Sequence, residues 1–209
     1  MVISNSRKFI FIKTRKCGGT SIQNTLLPFC NNQDYVTLQF TNLITNKISP
    51  IEEFSDLTEV RKKLKINTDE YYKFGFVRNP YSITLSRFFY QIKQKRISLT
   101  PTKENFNLWA KTDYFVSHKK FNYNGDKFSK FLFNFKNEPI VDFIGKLENV
   151  EFDFNIVKNK LNLEPNLELK KDNKSNFNNI HYRDWMSEET VELVKKFFEF
   201  ELLYFNYEY

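Results

Sequence analysis

FIFIKTRKCGGTS, residues 9–21, decides how this chain is read. The apolar run 9–12 closes on Lys13 and has the make-up of a buried strand. A short loop follows, with the cations Arg15 and Lys16 and the glycines Gly18 and Gly19. Thr20 and Ser21 then open a helix expected to run through Leu27. First-turn N–H groups of a helix have no intrahelical partner and sit at the positive end of its dipole, so such a junction receives anions. Glycines let the backbone come close to a phosphate, while Lys16, Thr20 and Ser21 add a charge and two hydroxyl donors. The junction reads as a cradle for a nucleotide's phosphates. Cys17 shares the loop; no His stands near it in sequence to activate it, and it reads as filler.

Further along, residues 33–55 carry no period and read as irregular. Asp56 to Leu64 predicts a short amphipathic helix with Leu57, Val60 and Leu64 on one face. Tyr72 to Val77 predicts a second buried strand, ended by Arg78-Asn79-Pro80. Pro80 suits the first turn of a helix over 81–94, where its missing N–H costs nothing. Signals are weak over 96–125, with a turn at Asn124-Gly125. A helix over 126–135, a third strand over 139–144 and a helix over 151–161 follow. After a polar loop, 162–186, Ser187 caps a last helix whose core stripe is Val191, Val194, Phe198, Leu202 and Phe205. Strands separated by helices imply a parallel sheet covered on both faces, with ligands beyond the strands' carboxyl ends. The loops at 14–19 and 78–80 both lie at such ends.

A chain of 209 residues suits one domain with an ordinary core. The net charge of +7 favours an anionic ligand, but 25 of the 32 cations are Lys spread along the chain, the pattern of a solvated basic surface. No dense basic tail or nucleic-acid module is present, so no nucleic-acid partner is expected. No run approaches the ~20 apolar residues of a membrane span, and MVISNSRKF has no signal-peptide hydrophobic region. Two cysteines are too few for a disulfide scaffold, and a reducing cytoplasm is the expected location.

The loop is not that of an ordinary NTPase. Those loops place Lys directly after the second Gly and a magnesium-binding hydroxyl next; here Lys16 precedes the glycines and Thr20 takes the lysine's place. Residues 16–21, read as K-x-x-G-T-S, instead resemble the 5′-phosphosulfate loop of sulfotransferases, usually PK-x-x-G-T-S. FGFVRNPYSITLSRF (74–88) resembles that superfamily's 3′-phosphate motif, with Arg78 and Ser86 in its Arg and Ser positions. VDFIGKLENVEFDF (141–154) and HYRDWMSEETVELVKKFFEFELLYFNY (181–207) resemble two further segments of the family, in the family's order. Through these four stretches the chain resembles the carbohydrate-type, family 2-like sulfotransferases that use 3′-phosphoadenosine 5′-phosphosulfate (PAPS).

That resemblance implies a single α/β domain over 1–209, three-layer α/β/α with a mainly parallel sheet and P-loop-like. It implies PAPS as donor, 3′-phosphoadenosine 5′-phosphate (PAP) as product, no metal, and a hydroxyl of a saccharide or other small molecule as acceptor. Donor contacts fall to Arg15, Lys16, Gly18, Gly19, Thr20, Ser21, Arg78 and Ser86, with His181, Tyr182 and Arg183 in a loop closing over the nucleotide. Lys16 near the bridging oxygen takes the catalytic role of stabilising the leaving phosphate. The proton acceptor stays open. Related polysaccharide enzymes often place a His between the first helix and the second strand; this chain offers Glu52, Glu53 and Asp56 there. His118, otherwise an exposed loop His, and Glu53 or Asp56, otherwise a solvated helix start with Asp56 as its cap, are the candidates for the catalytic base. A phosphotransferase and an inactive carbohydrate-binding relative are the alternatives.

Overall fold

A computed structural model describes residues 1–120, 127–170 and 180–209. Its strands are β1 (Val2–Ser4), β2 (Phe9–Ile12), β3 (Tyr35–Leu38), β4 (Thr41–Asn42), β5 (Lys47–Ile48), β6 (Tyr72–Val77) and β7 (Phe143–Lys146). Its α-helices are α1 (Gly19–Leu26), α2 (Leu57–Leu64), α3 (Pro80–Lys93), α4 (Lys103–Trp109), α5 (Phe115–Lys120), α6 (Ser129–Leu132), α7 (Val150–Lys160), α8 (Glu188–Phe197) and α9 (Glu199–Phe205). Two compact units emerge, Met1–Val77 with Phe128–Lys174 and Arg78–Lys127 with Ser175–Tyr209. No helix of the described residues is long and apolar enough to cross a membrane.

The first unit holds a seven-stranded sheet in the order β5-β4-β3-β1-β2-β6-β7. Only β2–β6 and β6–β7 run parallel; β1–β2, β1–β3, β3–β4 and β4–β5 are antiparallel. The expectation of a mainly parallel sheet is thereby corrected to a mixed one. The cause lies in residues 1–8 and 33–55, where four strands escaped the sequence reading. The buried Asp34 organises them. Its Oδ1 accepts from the N–H groups of Asn5 (2.7 Å) and Ser6 (3.2 Å), and its Oδ2 from Ser4 Oγ (3.2 Å), Ser6 Oγ (2.9 Å) and Asn31 N (2.9 Å). One carboxylate thus fixes the β1–β2 turn against the entry to β3. Strands β4 and β5 are two residues each, too short to show a period.

Period 2 sets the core. Phe9 and Phe11 of β2 share a face with Phe74 and Phe76 of β6, and Phe11 stacks on Phe74 with ring centroids 5.3 Å apart. Ile22 and Leu26 of α1 and Phe154 and Val157 of α7 pack into the same cluster. The strand expected over 139–144 begins three residues later than its first apolar residue, at Phe143. Pro139 makes only an isolated bridge to Phe133, having no N–H for a ladder. The helix expected over 126–135 is reduced to α6; Asp126 and the turn at Asn124-Gly125 lie outside the described residues.

The second unit is helical. Asn79 caps α3, its side-chain oxygen accepting from Tyr81 N at 2.9 Å, with Pro80 in the first turn. Residues 96–125, weak in sequence, contain α4, a π-helical turn Ala110–Tyr114 and α5. Ser187 caps α8 as expected, but the single last helix of the sequence reading is split at Phe198 into α8 and α9. Phe88, Phe106, Trp109 and Trp185 form its aromatic centre; Phe88 lies 5.3 Å from Trp109 and Phe106 6.2 Å from Trp185.

Candidate functional site

The loop after β2 turns into α1 through two left-handed residues. Lys16 and Gly18 sit at φ 62° and 74°, with Gly19 opening α1 between the cap and the helix body. A lysine in the left-handed region costs about 1–2 kcal/mol. Gly18 caps α1 without a side-chain hydrogen bond. Thr14 anchors the loop to the sheet by donating its hydroxyl to Phe76 O of β6. Cys17 is buried, its Sγ 3.2 Å from Arg15 O, in keeping with a packing role. Lys16, Thr20 and Ser21 are half-buried.

The other cation of this stretch does something the sequence did not announce. Lys13 is buried, and its ammonium ion-pairs with Glu53 and lies 3.4 Å from Gln23 Oε1 of α1. Its aliphatic stem crosses Gly19: a Cβ there would stand 2.6 Å from Lys13 Cγ. Glu53 is held in turn, its Oε2 accepting from Gln39 N at 3.2 Å and its own N–H donating to Gln39 O at 3.0 Å. The Arg15 guanidinium stands 4.1 Å over the Phe54 ring. Its buried Nε has no hydrogen-bond partner among the described residues. Within the first unit the structure therefore joins Arg15, Gly19 and Glu53 through Lys13 and the 53–54 pair. Asp56 caps α2 by accepting from Glu59 N at 2.8 Å, a structural duty.

The second unit brings together two motifs a hundred residues apart. Arg78 follows the last residue of β6 and is half-buried; Ser86 is half-buried on α3. Asn79 Nδ2 donates to the Tyr182 hydroxyl at 3.3 Å and to Glu208 O at 3.2 Å. Tyr182 stacks on Tyr81 at 5.6 Å and 21°, and Tyr209 packs edge-on to Tyr81 at 5.0 Å. Arg183 is pinned from both ends: its N–H donates to His181 Nδ1 (3.3 Å) and its carbonyl accepts from the Tyr209 hydroxyl (3.2 Å). Burial, aided by Glu192 and the neighbouring phenols, pushes the Tyr81 phenol above its ordinary value, and burial does the same to Tyr209. Both remain hydroxyl donors at neutral pH. The segment 181–183 is thus fastened to the start of α3.

His118 is neither exposed nor in a loop. It is buried on α5, with Nδ1 2.6 Å from Tyr114 O and its ring 4.4 Å from Tyr114 and 5.0 Å from Phe197. Because a carbonyl only accepts, Nδ1 is the donor of this contact, and in the neutral tautomer that leaves Nε2 as the ring's acceptor.

Sequence reasoning missed the Lys13–Glu53 pair and the Asn79–Tyr182 bond. The first had one signal: a cation closing an otherwise apolar strand must find a partner once buried. Comparison with known proteins places the chain in a family. The model of the Sulfotransferase family covers residues 1–208. Among curated proteins and among solved structures, nothing matches.

Proposed function

Because the chain belongs to the sulfotransferase family, we propose that it moves a sulfuryl group from PAPS to a hydroxyl of a saccharide or another small acceptor. In this reading residues 1–209 act as one domain in a three-layer, P-loop-like arrangement. The observation that carries it is the loop after β2, where Lys16 and Gly18 both take positive φ at the amino end of α1. Positive φ recurs at eight other non-glycine residues among those described; what supports the reading here is its place at the amino end of α1, where unpaired N–H groups receive an anion.

The donor supplies an activated bond between sulfur and its 5′-phosphate oxygen. Transfer breaks that bond, forms one from sulfur to the acceptor oxygen, and releases PAP and the hydroxyl proton. Lys16 offsets the charge that grows on the leaving phosphate oxygen, where a preorganised cation is worth most. Loop N–H groups with Gly18, Gly19, Thr20 and Ser21 hold the 5′ end, and Arg15 adds charge beside them. Arg78, whose planar fork suits phosphate, and Ser86 hold the 3′-phosphate. His181, Tyr182 and Arg183 close over the nucleotide. Their fastening to Asn79 and Tyr81, next to Arg78 in the chain, supports that assignment.

Glu53 takes the acceptor proton. Its support is position alone, since Lys13 places the carboxylate beside the loop while the same ion pair lowers its proton affinity. His118 is the second candidate, supported by the lone pair on Nε2.

Nucleotide preference tests the reading. PAP should bind more tightly than adenosine 5′-phosphate, and Arg78→Ala should remove most of the difference. One charge-assisted contact is worth about 1.5–3 kcal/mol, roughly ten- to a hundredfold in affinity. Equal affinity of the wild-type chain for the two nucleotides, by calorimetry, overturns it.

A further inference from the structure

The sheet of the first unit carries an exposed apolar row that starts beside Glu53. Val2 pairs with both Phe11 of β2 and Val36 of β3, so those two residues stand level on one face, the face packed by Ile22 and Leu26 of α1. Both strands run antiparallel to β1 and hence in one direction. Two residues on, Lys13 and Leu38 are level again and return to that same face. Lys13 is buried there against α1, its stem crossing Gly19. Leu38, on the far side of β1, is 43% exposed. Register carries the row outward: Leu38 pairs with Thr41 of β4 and Thr41 with Ile48 of β5, which is 88% exposed. Phe40, in the turn between β3 and β4, is 59% exposed.

Glu53 joins the two ends of this row. One carboxylate oxygen takes the Lys13 ammonium and the other accepts from Gln39 N, and Gln39 is the chain neighbour of both Leu38 and Phe40. The carboxylate thus has the phosphate loop on one side and the exposed apolar side chains on the other. Single exposed hydrophobics are ordinary on a soluble protein, whereas several on one hairpin, continuous with a candidate site, mark where the apolar part of a ligand rests. Lys47, the one charged residue of β4 and β5, alternates with Ile48 and so projects from the opposite face. A charged saccharide finds no counter-charge on the row, and a small polar acceptor leaves its side chains in water. Building on the transferase reading, we propose that the acceptor is an aromatic alcohol, its apolar body lying on Leu38, Phe40 and Ile48 and its hydroxyl beside Glu53. A phenol releases its proton at about pH 10, far more readily than a sugar hydroxyl, and so asks least of a carboxylate base. In the transfer the sulfur's bond to the PAPS phosphate oxygen breaks and its bond to the phenol oxygen forms. PAP leaves, and the phenol proton passes to the Glu53 carboxylate and on to water.

The emission of 2-naphthol, excited beyond the tryptophan band and followed without nucleotide, reads the row directly. It should change saturably on titration with the chain. The double variant Leu38→Ser, Ile48→Ser should weaken that binding about tenfold. Far-UV circular dichroism checks the fold; if the double variant does not fold, Phe40→Ser replaces it and must weaken binding. With PAPS, loss of 4-nitrophenol absorbance follows transfer, and the double variant should raise the KM for the phenol about tenfold with kcat kept. Methyl glucoside, followed through labelled PAPS, should accept more slowly than the phenol. Thermal shift with PAP is run in parallel. A PAP response combined with no naphthol binding, with binding that the double variant leaves unmoved, or with faster transfer to methyl glucoside overturns the aromatic acceptor and leaves the transferase reading standing. No response to PAP overturns both.

Discussion

Replacing Lys13 by Met should destabilise the chain more than any change on its basic surface. The side chains of Lys13 and Glu53 are 4% and 12% exposed. Breaking a fully buried pair from one side costs about 3–5 kcal/mol, because the partner's charge is stranded. Glu53 keeps the Gln39 N–H on its other oxygen at 3.2 Å and a little solvent, which lowers the expected loss to about 2–4 kcal/mol. Glu53→Gln should cost less, about 1–3 kcal/mol, since an amide oxygen and Gln23 still receive the ammonium. With both charges gone, neither is stranded, so the double variant should fall short of the sum by roughly 1–3 kcal/mol. Urea unfolding of the four proteins reads this out as midpoint shifts at constant slope. A loss below about 1 kcal/mol for Lys13→Met, the range of exposed ion pairs, or strict additivity in the double variant refutes the reasoning.

Gly19→Ala should cost about 1–3 kcal/mol, because its Cβ would stand 2.6 Å from a Lys13 stem whose far end is held; an unchanged urea midpoint counts against that. Gly18→Ala should cost about 1–2 kcal/mol from its φ of 74°, since the Leu147 methyl it meets can rotate away; a stabilised variant refutes the assigned backbone. Lys16→Ala should slow transfer on the order of a hundred- to a thousandfold, with PAP affinity changed less than about tenfold. Normal turnover, followed through an acceptor or slow hydrolysis of PAPS, sinks its catalytic role. Burial above all, with Asp34 adding and Arg7 opposing, pushes the Cys30 thiol up to about 12. At pH 8 on the order of one Cys30 in ten thousand is then thiolate, and iodoacetamide should label it far faster in urea than in the native chain. The folded pKa is raised above the ordinary 9.0, so this thiol's contribution is whole below pH 9 and declines as pH rises toward 12. Equal labelling rates in the two states refute it.

What the sequence disclosed follows from how each element is stabilised. β2 and β6 are stretches of consecutive buried apolar residues, and α3 starts with an Asn cap and a Pro, so local composition was enough. β3–β5 were hidden because Asp34, not periodicity, organises their entry, and because two-residue strands have no pattern to read. The α4–α5 stretch was hidden because Asn105, Asn107 and Lys111 interrupt its apolar face and a π turn shifts the period. Asn107 in fact serves the fold, donating to Trp185 O at 2.7 Å and accepting from Ser187 N at 2.8 Å. At the candidate site, the loop residues were legible because glycines and cations stood side by side. The Lys13–Glu53 and Asn79–Tyr182 contacts were not, since 40 and 103 residues separate the partners.

Strand β2 meets β1 across a four-residue turn, but its other neighbour, β6, arrives much later: Phe9 pairs with Tyr72 and Phe11 with Phe74. During synthesis at about 5–20 residues per second, that gap of 63 residues (72 − 9) lasts roughly 3–13 s. Throughout it, FIFI has one ladder edge open. When β6 emerges the open edge moves to it, until Phe143 reaches Phe74. Distant parallel pairings of this kind close slowly even in the finished chain. A nascent chain halted between Leu38 and Tyr72 therefore exposes the unpaired edge of its most apolar strand, and is the form most in need of a chaperone.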